Sequence, residues 1–212
     1  MSTVAAVLLA AGRSRRMGAF KPLLPFGGVT VVEACVRALR EGGAGEVVVV
    51  VGRRGEEVRA ALAHLPSVRF AFNEVEGSEM GVSVARGVAA LPAGAGAALV
   101  ALVDQPAVPP AEVGRLIGEW RRAGARLVAP EWRGRGGHPV LVDLALRAEL
   151  LTLVPERGLR ALFDARRADL LRVPAASPYV ARDMDTWDEY VALHTEVFGA
   201  PPEEKRPEAG GR

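Results

Sequence analysis

Short apolar runs, separated by longer segments with helical spacing, dominate the hydrophobic pattern of the chain. Residues 4–9, 47–51 and 97–103 contain no alternating polar positions. Such runs are typical of strands buried on both faces, as in a parallel sheet. Further strands are predicted at residues 68–72, 126–129 and 170–173.

Helical periodicity fills the intervals between these runs. Residues 29–40 carry apolar side chains at Val32, Val36 and Leu39 and stop at Gly42-Gly43, a common helix end signal. Other helices are predicted at residues 56–65, 82–91, 111–123, 144–151, 158–165 and 187–197. This alternation predicts an α/β fold, a Rossmann-like arrangement of three layers (α/β/α) around a mostly parallel central sheet.

Length and composition limit the possible classes of protein. The chain has 212 residues, of which 50% are hydrophobic, and this suits a single domain, expected at residues 1–199. Residues 200–212 are expected to form a disordered tail, because they lack apolar periodicity. A formal net charge of +2 gives little support for binding to nucleic acid or to a membrane surface. Cys35 is the only cysteine, so no disulfide framework is expected. No cleavable signal or bilayer-spanning run is found, which predicts a cytoplasmic protein.

The loop after the first strand combines small residues with positive charge. Ala10, Ala11 and Gly12 allow a ligand to approach the backbone, and N–H groups in such a loop can form an anion-binding concavity. The basic side chains in and after it are Arg13, Arg15, Arg16 and Lys21. A phosphate site is one interpretation of this loop, and a solvated basic turn is the other.

Three polar residues stand out because the composition almost excludes their types. The chain has 27 Lys and Arg residues, but Lys21 and Lys205 are its only lysines. Asn73 is the only asparagine and Gln105 the only glutamine. All three lie beside other polar residues, which makes them functional candidates, although rarity alone leaves an incidental role open.

Acidic residues are predicted to meet at one edge of the sheet. Asp104 ends a central strand, where ligands bind in open α/β sheets, and Asp183 and Asp185 follow later in the chain. Carboxylates beside phosphates commonly hold Mg²⁺, which points to nucleotidyl or phosphoryl transfer. The alternatives are a turn former for Asp104 and helix N-terminal charges for the later pair. His138 is a candidate base or ligand, with a structural role as its alternative.

The first loop resembles the signature of the nucleotidyltransferases that act on molybdenum cofactor, and most closely that of the molybdenum cofactor cytidylyltransferases, a MobA-like family. The resemblance extends over roughly residues 4–197. The segments that carry it are Leu9-Ala10-Ala11-Gly12, Ser14, Arg16-Met17-Gly18, Lys21-Pro22-Leu23-Leu24-Pro25, Asp104-Gln105-Pro106, Gly137-His138-Pro139-Val140 and Asp183-Met184-Asp185-Thr186.

The resemblance implies a role for most of these positions. Lys21, Arg16 and Asp104 would be catalytic, with Lys21 stabilising charge at the α-phosphate. Asp104 and Asp185 would hold Mg²⁺. The implied nucleotide-binding residues are Leu9, Ala10, Ala11, Gly12, Arg13, Ser14, Arg16, Lys21, Asn73, Ser83 and Asp104, and the implied acceptor-binding residues are Gln105, Gly137 and His138.

The implied reaction is transfer of CMP from CTP to the terminal phosphate of molybdopterin or molybdenum cofactor, with release of pyrophosphate. Ala10-Ala11-Gly12 resembles the form in enzymes that use CTP, because guanylyl-transferring relatives usually have Ala-Gly-Gly and an Asp before the lysine. The alternatives are guanylyl transfer to molybdenum cofactor, nucleotidyl transfer to a sugar phosphate or methylerythritol phosphate, and a non-catalytic nucleotide-binding module. A molybdoenzyme or its maturation factor would be a further partner.

Overall fold

The structure is a computed structural model that describes residues 2–14, 16–75 and 79–204. In chain order its strands are β1 (Thr3–Ala10), β2 (Pro25–Phe26), β3 (Val29–Thr30), β4 (Glu46–Val51), β5 (Val68–Phe72), β6 (Ala95–Leu102), β7 (Leu127–Trp132), β8 (Arg135–Gly136), β9 (Val140–Asp143) and β10 (Leu170–Pro174). Its α-helices are α1 (Val31–Glu41), α2 (Gly55–Ala61), α3 (Met80–Ala89), α4 (Pro110–Ala123), α5 (Arg147–Leu151), α6 (Gly158–Ala165) and α7 (Trp187–Phe198).

A mixed sheet forms the centre of the fold. Its strand order is β10-β7-β9-β6-β1-β4-β5, and β8 pairs with β7. The pairs β1–β4, β1–β6, β4–β5 and β7–β10 are parallel, whereas β9 is antiparallel to both β6 and β7. The predicted mostly parallel sheet is therefore confirmed, with β9 as an antiparallel strand inside it.

Helices cover both faces of this sheet. Alternate residues of β1, such as Ala6 and Leu8, face α1, α2, α4 and α7, whereas Ala5 and Val7 face α3, α5 and α6. The side chains of Ala6, Val7 and Leu8 are completely buried. Burial on both faces explains why the strand has no polar alternation, and the predicted α/β/α layering is confirmed.

Some predicted boundaries are wrong. Helix α1 begins at Val31, not at residue 29, because Thr30 caps it: the Thr30 hydroxyl accepts a hydrogen bond of 3.3 Å from the Glu33 N–H. Val29 instead pairs with Phe26 in a two-stranded hairpin. Helix α2 ends at Ala61 rather than at residue 65, and β9 was missing from the prediction.

The last helix agrees closely with its prediction. Thr186 caps α7 and forms a capping box with Glu189, in which each side chain accepts a hydrogen bond from the other residue's backbone N–H. Residues 200–204 of the predicted tail contain no helix or strand, and residues 205–212 lie outside the described residues. Throughout the described part of the chain, no helix has the length and apolar character needed to cross a bilayer.

Candidate active site

The carboxyl ends of three parallel strands bring the candidate residues together. In the register of β1 and its neighbours, Leu9 lies beside Leu102 of β6, and Ala10 lies beside Val51 of β4. The loops that leave these strands therefore start at the same edge of the sheet. This is the edge at which open α/β sheets bind ligands.

The loop from Gly12 to Lys21 is held in place by hydrogen bonds to Ser14. The Ser14 carbonyl accepts the Met17 and Gly18 N–H groups, and its hydroxyl accepts the Lys21 N–H at 3.2 Å. Gly18 has a φ of 75°, a conformation that favours glycine. The Met17 side chain is buried in the core and anchors the loop, so that Lys21 enters the site from a fixed backbone. Arg15 lies outside the described residues.

The Lys21 ammonium lies between two carboxylates. Its Nζ is 3.0 Å from Asp185 Oδ1 and 3.8 Å from Asp104 Oδ2, and only 8% of the lysine side chain is exposed. Arg16 approaches the same site from solvent, with its Nη2 donating to Asp185 Oδ2 at 2.8 Å. The site therefore contains two positive and two negative side chains within contact distance.

The segment from Asp183 to Thr186 is fixed at both ends. The Met184 N–H donates to the Asp104 carbonyl at 3.0 Å, which ties the segment to the end of β6. The backbone N–H groups of Asp185 and Thr186 both donate to Glu189 Oε2 at 2.8 Å, which ties it to α7. These bonds hold Asp185 opposite Asp104.

Asp183 points to a different set of partners from Asp185. Its Oδ1 accepts a hydrogen bond of 2.6 Å from Gln105 Nε2, and its charge acts on His138. Sequence reasoning left both aspartates open as the second metal ligand. The geometry favours Asp185, because that side chain shares the Lys21 ammonium with Asp104.

The two facing carboxylates differ in their proton affinity. Burial raises the pKa of Asp104, and repulsion from Asp183 and Asp185 raises it further, whereas the Lys21 charge only partly opposes them. Burial also raises the pKa of Asp185, but the hydrogen bonds and charges of Lys21 and Arg16 outweigh it and leave that pKa below its ordinary value. Asp104 is thus the carboxylate that gains more from an added cation.

A cavity of about 330 Å³ opens between these groups and the end of β1. Its lining includes the predicted nucleotide-binding residues Leu9, Ala11, Gly12, Ser14, Arg16, Lys21, Ser83 and Asp104, together with Asp185. The other lining residues are Met80, Leu102 and Val103. The sequence did not identify them as site residues, because an apolar side chain at a cavity wall looks the same in a sequence as one in the core. The lining combines one apolar wall with one charged wall.

Three of the predicted nucleotide-binding side chains do not line this cavity. The Ala10 side chain is 1% exposed and packs in the core towards α1, since neighbouring residues of a strand face opposite sides of the sheet. Asn73 is buried behind Ser83 and donates to its hydroxyl at 2.8 Å. Arg13 is exposed and lies outside the lining. For Ala10, direct side-chain contact with a ligand is therefore ruled out.

The predicted acceptor-binding residues lie outside the cavity lining, and two of them, Gln105 and His138, interact with Asp183. The Gln105 side chain is buried and bonded to Asp183, so it orients that carboxylate and is not itself on the open surface. Gly137 packs tightly, since a Cβ there would lie 1.9 Å from the Val180 carbonyl oxygen. His138 is half-buried, and burial lowers its pKa against the opposing charge of Asp183. Its imidazole is therefore neutral near pH 7.

The donor set of the site suits a magnesium ion. Asp104 and Asp185 offer carboxylate oxygens, and Asp104 Oδ1 is buried without a hydrogen-bond partner among the described residues. Within the same residues, no group of three or more His, Cys, Asp or Glu side chains is placed to hold a metal. Mg²⁺ needs only one or two carboxylates when phosphate oxygens and water supply its other ligands.

A small-residue basic loop that follows a strand and faces a pair of carboxylates is the arrangement expected of a nucleotidyltransferase. The profile of the MobA-like NTP transferase domain matches residues 6–170, and the chain belongs to this family.

The similar proteins are named for several different activities. Nicotine blue oxidoreductase of Paenarthrobacter nicotinovorans is 34% identical over 198 residues, 90% of this chain and 96% of that protein. The 2-C-methyl-D-erythritol 4-phosphate cytidylyltransferase of Nocardia farcinica is 36% identical over 188 residues, 85% of this chain and 78% of that protein. The probable molybdenum cofactor guanylyltransferase of Mycobacterium avium is 32% identical over 177 residues, 81% of this chain and 86% of that protein.

Solved structures support the same fold. The manganese complex of Rv0371c from Mycobacterium tuberculosis H37Rv superposes with a TM-score of 0.75 at 28% identity, over 91% of this chain and 97% of that one. The predicted α/β/α fold class and the predicted MobA-like family are thus confirmed.

Proposed function

We propose that this protein transfers CMP from CTP to the terminal phosphate of molybdopterin, with release of pyrophosphate and with Mg²⁺ as cofactor. The observation that carries the proposal is the Lys21 ammonium, which is held between Asp104 and Asp185 in the lining of the cavity. Family membership supports nucleotidyl transfer, and the choice of CTP and of this acceptor rests on the resemblance of the first loop.

The proposed mechanism depends on position and charge. The backbone from Gly12 to Ser14 would cradle the triphosphate, and Lys21 and Arg16 would neutralise the charge that grows as the α-phosphorus is attacked in line. Asp104 and Asp185 would hold Mg²⁺, which neutralises phosphate charge and orients the leaving pyrophosphate. Rv0371c, a structural neighbour at 28% identity, has been solved as a complex with manganese, which supports a divalent cation as the cofactor proposed here. No nucleophilic side chain is needed, because the acceptor phosphate attacks.

The acceptor would approach from the side of Asp183 and His138. A neutral imidazole offers one donor and one acceptor and adds no charge beside the reacting phosphates. His138 would therefore orient the acceptor by a hydrogen bond, while Gln105 holds Asp183 in place through the 2.6 Å bond between them.

Base selection is proposed to depend on the residue at position 11. Ala11 is one of the residues that line the cavity, and a glycine at this position would leave free the space of its methyl group. Relatives include both a cytidylyltransferase and a probable guanylyltransferase, so guanylyl transfer is the second candidate. A smaller cavity favours the pyrimidine.

The test is pyrophosphate release with each of the four nucleoside triphosphates, Mg²⁺ and molybdopterin. We expect CTP to give the highest kcat/KM. If GTP is the best substrate, the cytidylyl assignment is wrong and the transferase assignment stands. If turnover occurs only with methylerythritol phosphate or a sugar phosphate, the acceptor assignment is wrong. Nucleotide binding without turnover on any acceptor would support a non-catalytic module.

A further inference from the structure

We propose that Lys21 is the built-in counterion of the metal site, and that it gives up this place only when metal and triphosphate bind together. This inference rests on the proposed function only in needing a metal-bound triphosphate as ligand, and not on which base or acceptor is used. It assigns Lys21 a second task, performed before the substrate arrives.

The contacts of the two carboxylates support this task. The Lys21 ammonium lies 3.0 Å from Asp185 and 3.8 Å from Asp104, and it is nearly removed from solvent, with an 8% exposed side chain. A buried ammonium needs a charged partner, and two partly buried carboxylates that face each other need a positive charge between them. Lys21 is the only lysine in the described ranges 2–14, 16–75 and 79–204, in a chain that otherwise uses arginine there.

Arg16 completes the neutralisation. Its guanidinium donates to Asp185 Oδ2 at 2.8 Å, so that both oxygens of this carboxylate contact a cation. The side chains expected to bind phosphate are therefore already paired with the side chains expected to bind metal. Their formal charges, two positive and two negative, cancel.

This pairing has a consequence for binding. A metal ion alone must displace an ammonium that is already in place, and a phosphate chain alone must take Lys21 and Arg16 away from Asp185. A magnesium triphosphate supplies both new partners at once. Its metal would replace Lys21 and Arg16 as the partner of the carboxylates, and its phosphate oxygens would replace the carboxylates as the partners of Lys21 and Arg16. Each single ligand should thus bind weakly, and the pair should bind through an exchange of partners.

The first test measures Mn²⁺ binding to the nucleotide-free protein by electron paramagnetic resonance. Lys21→Met removes the internal counterion, and we expect it to bind Mn²⁺ about tenfold more tightly than the wild type. If Lys21 served only to bind phosphate, its loss would leave Mn²⁺ affinity unchanged. Arg122→Met is the matched control, since it removes one positive charge from an exposed pair with Glu119 at the far end of α4.

The mirror test uses tripolyphosphate in EDTA, which probes the phosphate half without a base. Asp185→Asn releases Lys21 and Arg16 from their partner, and we expect about tenfold tighter tripolyphosphate binding by calorimetry together with weaker Mn²⁺ binding. Asp169→Asn is its control, because this aspartate lies outside the cavity lining and pairs with Arg166.

Folding is checked separately from binding. Lys21→Gln is a second variant that keeps a polar side chain, and thermal melting with and without Mn²⁺ should show a larger rise in Tm for both Lys21 variants than for the wild type. Equal or weaker Mn²⁺ binding by folded Lys21 variants would overturn the inference. Absence of turnover with every acceptor would instead overturn the proposed function and leave the counterion exchange standing.

Discussion

Replacing Asp104 with Asn should separate the stability of the fold from the chemistry of the site. Asn keeps the size of the side chain and removes its charge. The backbone carbonyl of residue 104, which accepts the Met184 N–H, is unaffected. We therefore expect a folded variant that is at least as stable as the wild type at pH 7 and that has lost nearly all turnover.

Two opposing effects set the change in stability. The pair of Lys21 and Asp104, 3.8 Å apart, is worth about 1 kcal/mol in a water-like dielectric and about 4 kcal/mol at an effective dielectric of 20. Burial and repulsion from the neighbouring aspartates disfavour the charged form of Asp104 and so oppose this attraction. The raised pKa of Asp104 shows that the unfavourable effects are larger than the attraction to Lys21. The variant should thus be more stable than the wild type at pH 7, because it no longer carries the charge that burial and repulsion disfavour.

This gain should depend on pH. The pKa of Asp104 in the folded protein lies above the unfolded value of 3.8, so the folded state holds the proton more tightly. The contribution of Asp104 to the stability of the wild type therefore falls as the pH rises from about 3.8 through the raised pKa, and it falls no further above that range. Asn does not titrate, so the advantage of the variant should grow across this range and then stay constant.

The assay is urea unfolding at several values between pH 4 and 8, with Asp169→Asn as control, followed by pyrophosphate release. We expect kcat/KM to fall by about 100-fold or more, since a metal ligand supports several kcal/mol of transition-state stabilisation. A variant that is less stable than the wild type at pH 7, by an amount independent of pH, would refute the reasoning on burial. Undiminished turnover with normal Mg²⁺ dependence would refute the metal role.

Three further substitutions test other parts of the site. Lys21→Arg keeps the charge but replaces a compact ammonium with a larger fork, so kcat should fall at least about tenfold, and full activity in steady-state assays would show that any positive charge suffices. Ala11→Gly should lower the ratio of kcat/KM for CTP to that for GTP several-fold, and an unchanged ratio would assign base selection to other residues. Gly137→Ala should lower the free energy of unfolding in urea by about 1–3 kcal/mol, because the added Cβ would lie 1.9 Å from the Val180 carbonyl oxygen. Gly118→Ala is the control: this glycine faces open space on α4, so the substitution should be neutral or stabilising.

Much of the sheet could be predicted from local pattern. Strands β1, β4 and β6 are apolar throughout because both faces of the sheet are covered, and a parallel arrangement follows from the helices between them. Strand β9 could not be found in this way. It has four residues and follows a proline, and its place is decided by pairing with β6, such as Val142 with Ala98, far apart in sequence.

The candidate site also has a part that the local sequence predicts and a part that depends on tertiary contacts. The position of Asp104 at a strand end predicts that it meets the first loop, because both leave the same sheet edge. The choice between Asp183 and Asp185 depends on bonds to Gln105 and to α7, which no local spacing reveals. Ala10 ends β1 with its side chain in the core, so its predicted part in nucleotide binding stays a prediction about its backbone.

The capping box of α7 also has a consequence for biosynthesis. All the sheet strands within the described residues end by Pro174, and Asp185 follows them, held by Glu189 of the last helix. A chain emerging from the ribosome therefore contains the sheet and the Gly12–Lys21 loop before it has the second carboxylate. Met184, Tyr190 and Leu193 are also buried in the core, so a polypeptide that stops before residue 183 lacks both a complete site and part of the core. We therefore expect activity to begin only after the final helix has been translated and has packed against the sheet.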